Sequence, residues 1–185
     1  NRKKPSVGPE KYLPYEIKEG DIVPEMASFG EGYRFHVTGL VHNETGFPTS
    51  NPDLSENLVN RLFNKIEDNV EDIVEYEEYM LEDAEEVIVA YGATARSVKS
   101  AIESLRAEGI KAGMFRPITI WPVAEKQIED IGKKAKRISV IEMNMGQYYS
   151  VIDRIASKYT SVDRYGRVNG ELITPEEIIS FIKEG

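Results

Sequence analysis

Leu58, Val59, Leu62, Phe63, Ile66, Val70, Ile73 and Val74 recur at steps of three and four residues. That period gathers side chains on one face of an α-helix. It predicts a long amphipathic helix from about Asp53 to Leu81, capped by Asn51 or Asp53, with Pro52 near its first turn. Upstream, residues 1–52 show little periodicity, and Pro5, Pro9, Pro14 and Pro24 oppose an ordered helix. Only Tyr33–Thr38 reads there as a strand, ended by Gly39 and followed by a polar loop through His42 to Pro48. From Glu86 the pattern alternates. Val87–Tyr91 is a short, continuously apolar run, as expected of a strand buried on both faces, and Ala112–Arg116 and Ile138–Glu142 read as a second and a third strand. Val162–Tyr165 adds an edge strand. Between them lie helical patterns, one capped by Thr94 and ended by Gly109, one from after Pro122 to about Lys134, and one from Gln147 to Tyr159. Thr174-Pro175-Glu176-Glu177 is a capping box opening a terminal helix with Ile178, Ile179 and Ile182 inward.

Strands alternating with helices imply an α/β fold of three layers, a mainly parallel sheet with helices on both faces. Residues 53–185 form this domain with the long amphipathic helix leading it. Residues 1–52 read as a linker and the remnant of a preceding domain. The opening NRKKPSVGPEKYLPYE, with no initial Met, has the character of an internal connection, so the expectation is a piece of a longer chain.

Ligands of open α/β sheets sit beyond the carboxyl ends of the strands, here Tyr91–Thr94, Arg116–Thr119 and Glu142–Gln147. The first could offer backbone N–H groups to an anion, but no glycine-rich phosphate fingerprint accompanies it, and a plain strand-to-helix turn is the simpler account. Glu142 closes a buried strand, where hydrogen bonding to a neighbouring loop is favoured over acid–base work. Asn144 and Gln147 would then order that turn or meet another domain. His36 and His42, near Glu44, are the only histidines, and their spacing matches no metal-ligand pattern. His42 and Glu44 are instead candidates for contact with substrate or another subunit. No catalytic residue, metal ligand or complete active site emerges from the residues themselves.

Composition sharpens this. With no cysteine among 185 residues, the chain can supply no disulfide, thiolate-bound iron–sulfur cluster or thiol nucleophile. The net charge of −9 is uneven. Glu56–Glu86 holds 12 acids and two bases, while Thr94–Arg137 holds ten bases and five acids. The acidic balance opposes nucleic-acid binding, which needs cations against phosphates. No apolar run approaches the ~20 residues of a membrane-spanning helix, and no signal peptide is evident, so no membrane partner and a cytoplasmic location are expected.

The order of motifs adds a resemblance. Val87-Ile-Val-Ala-Tyr-Gly-Ala93, Ala95-Arg-Ser97, Glu108-Gly-Ile-Lys-Ala-Gly113 and Arg116-Pro-Ile-Thr-Ile-Trp-Pro122 are similar to the C-terminal domain of transketolase-like thiamine enzymes. Phe29-Gly-Glu-Gly-Tyr33, Val37–Pro48 and Glu142-Met-Asn-Met-Gly-Gln147 resemble, within that group, alpha subunits of 2-oxoglutarate:ferredoxin oxidoreductases. Val123 and Ala124 depart from the family's turn after Trp-Pro. The resemblance implies a multisubunit enzyme that decarboxylates a 2-oxoacid oxidatively, forms an acyl-coenzyme A and reduces ferredoxin. Thiamine diphosphate would lie between the absent amino-terminal domain and a beta subunit, and the iron–sulfur clusters in other subunits. This chain would then be the non-catalytic C-terminal part of the alpha subunit, serving assembly and shaping the active site. Two other expectations compete: the C-terminal domain of another thiamine enzyme (a transketolase or oxoacid dehydrogenase), and a stand-alone α/β interaction module.

Overall fold

Val87, Val89, Ile138 and Val140 point to one side of a sheet, and Ile88, Ala90 and Ile141 to the other, because successive side chains along a strand face opposite ways. The computed structural model describes residues 2–185. They divide into two compact units, meeting in sequence between Val70 and Glu71. In the second unit five strands, β1 (Tyr76–Tyr79), β2 (Glu86–Val89), β3 (Ala112–Pro117), β4 (Arg137–Glu142) and β5 (Ser161–Gly166), form one sheet in the order β1-β3-β2-β4-β5. The last four run parallel and β1 lies antiparallel on β3, with Tyr76 opposite Pro117.

Helices α3 (Thr94–Ala107) and α6 (Pro175–Glu184) cover one face; α4 (Glu125–Gly132) and α5 (Gln147–Ala156) cover the other. The first core joins Ile88 and Met114 to Val98, Ile102 and Leu105 of α3 and to Ile178 and Ile182 of α6. The second joins Val89, Phe115, Ile138 and Val140 to Ile128 of α4 and to Tyr148, Ile152 and Ile155 of α5. Each such aliphatic side chain, fully buried, contributes about 2–3 kcal/mol. At α6 both halves of the capping box are present: the Thr174 hydroxyl accepts from Glu177 N–H and the Glu177 carboxylate accepts from Thr174 N–H. The expected three-layer fold is therefore present.

Three expectations give way. The long helix stops early: α1 spans Pro52–Glu67, a single turn α2 follows (Val70–Ile73), and Tyr76 already begins a strand. The cause is pairing with a distant strand, since Tyr76–Tyr79 lies antiparallel on Met114–Pro117. Exposed and half-buried residues alternate along it, and this places Glu77 between Lys99 of α3 and Arg116 of β3. The Lys99 ammonium, then the Arg116 guanidinium, holds the Glu77 carboxyl below the usual carboxylate range. Second, Thr94 does not cap α3 but is its first residue; Ala93 stands at the cap without a side-chain bond. Third, Tyr33–Thr38 forms no strand. Its side chains are committed locally: the Tyr33 hydroxyl donates to Val7 O, and Phe35 and His36 stack on Phe29 and Phe47.

The first unit contains α1, capped as expected by Asn51, whose side chain accepts from Asp53 and Leu54 N–H. No residue of α1 is buried. The segment before it is held by local ties, among them the Glu25 carboxylate. That group accepts from Lys18 and from Ser6, and the Lys18 ammonium leads in drawing it down to about 2. Among the described residues no helix is long and apolar enough to cross a membrane.

Candidate functional site

The carboxyl ends of β2 and β4 lie side by side, and the helices that follow them depart to opposite faces. This is the switch point where ligands of such sheets sit. Glu142, the last residue of β4, is 1% exposed. Its Oε2 accepts from the Tyr91 hydroxyl at 3.1 Å, Asn144 Nδ2 at 2.8 Å and Tyr148 N–H at 3.1 Å, and its Oε1 from Tyr149 N–H at 3.1 Å. Asn144 Oδ1 takes the two preceding amides, Gly146 N–H at 2.8 Å and Gln147 N–H at 3.1 Å. The amides at the start of a helix have no partner within it and attract negative charge. Here Glu142 and Asn144 satisfy them in sequence. The turn is closed by Gly146 at φ 103°, where a Cβ would stand 2.6 Å from the Arg164 guanidinium, itself donating to Met145 O.

Enclosed in this way, Glu142 is committed to donors of its own fold. Its work is to hold the turn. Asn144 shares that work, as the sequence suggests, whereas Gln147 contributes only its backbone and leaves its side chain exposed. What sequence reasoning missed is the aromatic pair. Tyr91 and Tyr148 meet edge-on at 5.4 Å. Burial, then the nearby Glu142 carboxylate, raises the Tyr91 phenol, and burial pushes Tyr148 up to about 12. The Tyr148 hydroxyl is buried without a partner. The only sequence signal was Tyr91 ending one apolar run and Tyr148 beginning a helical one.

His42 and Glu44 belong to the first unit. Asn43 Oδ1 gathers Thr45 N–H, the Thr45 hydroxyl and Phe47 N–H, turning the chain so that His42 pairs with Pro48. The His42 ring packs on Tyr15 at 3.9 Å between centroids, and Glu44 O accepts from Tyr15 N–H at 3.1 Å. A hollow of about 240 Å³ opens beside them, bordered by Leu58 and Arg61 of α1. His42 is thus half-buried and fixed, while the Glu44 side chain is exposed.

With this geometry in view, the chain can be set beside known proteins. Residues 84–178 match the family model described as pyruvate:ferredoxin oxidoreductase core domain II. A 2-oxoglutarate synthase subunit KorA of Methanothermobacter thermautotrophicus is 40% identical over 98% of this chain and 48% of its own. That of Methanocaldococcus jannaschii is 42% identical over 96% and 47%. The chain belongs to the 2-oxoacid:ferredoxin oxidoreductase family. The core domain II match coincides with most of the α/β unit and includes Glu142, Asn144 and Gln147. This oxidoreductase chain spans about half the length of the curated relatives it matches. A solved 2-oxoglutarate:ferredoxin oxidoreductase from Magnetococcus marinus, with 2-oxoglutarate, coenzyme A and succinyl-CoA bound, superposes with a TM-score of 0.82 at 30% identity. The match covers all of this chain and 32% of that one. A split-gene transketolase superposes over 60% of the chain with a TM-score of 0.52 at 19% identity, a likeness of fold alone.

The family implies thiamine diphosphate, iron–sulfur clusters and coenzyme A. At the turn into α5 the residues of this chain leave no free backbone N–H for a phosphate of the thiamine or the coenzyme. The amides of α5 are occupied by Glu142 and Asn144, there is no cysteine for a cluster, and no group of three metal-ligating side chains occurs among the described residues.

Proposed function

We propose that this chain is the C-terminal, non-catalytic portion of the alpha subunit of a 2-oxoglutarate:ferredoxin oxidoreductase. The whole enzyme converts 2-oxoglutarate and coenzyme A to succinyl-CoA and carbon dioxide, and two electrons pass through iron–sulfur clusters to ferredoxin. The observation that carries the substrate assignment is the match over nearly the whole chain to 2-oxoglutarate synthase subunits. The observation that carries the non-catalytic role is the closed Glu142 site, in which every oxygen serves the fold.

In this reading the α/β unit is the assembly domain and residues 1–52 are the connection to a preceding domain. Thiamine diphosphate sits between that domain and a beta subunit, with the clusters in further subunits. The carboxyl edge of the sheet supports an assembly role, because it exposes large apolar side chains: Trp121 is 60% and Met145 70% open to solvent. Such side chains, clustered and uncovered, mark contact surfaces. The fixed His42 and the exposed Glu44 are the residues through which the first unit shapes the approach to substrate. The location is the cytoplasm.

The test is purification of the native complex through a tag on this C-terminus, followed by anaerobic viologen reduction. Reduction that requires both 2-oxoglutarate and coenzyme A, with iron-containing chains co-purifying, is expected. Ketoisovalerate is the informative second substrate, since a ketoisovalerate oxidoreductase subunit VorB of Methanothermobacter marburgensis is 41% identical over 60% of this chain. Activity with it alone would replace the substrate and keep the family. Absence of any oxoacid-dependent reduction would overturn the enzyme reading.

A further inference from the structure

We draw no further inference here: the strongest candidate, the turn Tyr91–Thr94 where β2 passes into α3 without a side-chain cap, is a helix N-terminus with no second observation in the structure that points to a ligand.

Discussion

Glu142 shows how a single carboxylate can look catalytic in a sequence and be structural in the fold. It ends a buried strand at a topological switch point, the place where an acid–base group would be sought, yet four donors surround it. Glu142→Gln keeps the shape but turns an amide NH2 towards N–H groups that need an acceptor. A loss of about 2–4 kcal/mol is expected in urea unfolding, with faster amide exchange at Gly146–Tyr149. Tyr148 gives a second prediction. Burial favours its neutral phenol, so the unfolded chain ionises near 10 and the folded one only at about 12. Stability from this group is complete below pH 10 and is lost as pH rises towards 12, by about 3 kcal/mol. Replacement by Phe should flatten that alkaline decline. At neutral pH it should cost little, because the hydroxyl has no partner to lose.

At the scale of elements, helix ends are the most legible features, and α6 can be tested by one change. Thr174→Ala removes the oxygen that accepts from Glu177 N–H. It should lower stability by about 1 kcal/mol in chemical unfolding. The Ser variant should recover most of that. The capping box, the Asn51 cap and the continuous apolar strands were all readable, because each depends on neighbours within a few residues. The segment after α1 was not. Val70, Ile73 and Val74 extend the helical period arithmetically, and nothing local stops it. What stops it is the pairing of Tyr76–Tyr79 with Met114–Pro117 and the two cations waiting for Glu77, partners 22 and 39 residues away. Likewise Tyr91 and Tyr148 could not be joined from sequence, since their meeting requires β2 and β4 to be neighbours. The Glu142–Asn144 turn stood between these cases: its residues were noticed, and their use was fixed only by the amides of α5.

On the scale of the whole molecule, the two units divide the questions. The α/β unit carries the family match, and the first unit carries the polar hairpin. In the assembled enzyme, His42→Ala with Glu44→Ala should raise KM for the oxoacid several-fold, with the complex still intact by sedimentation; unchanged steady-state kinetics would remove the hairpin from the active-site approach. The edge of the sheet has a different consequence. β1 is four residues long, runs against its neighbour, sets Glu77 and Glu78 on opposite faces, and is followed by Met80 in a left-handed conformation at φ 49°. Such an edge gives an incoming strand little to add to. A polypeptide that must wait after synthesis for other chains spends time with its contact surfaces bare, and misassembly into fibrils or tangles is the hazard of that interval. By ending that side of its sheet in a short, acidic strand, this chain offers its own kind little backbone to pair with there.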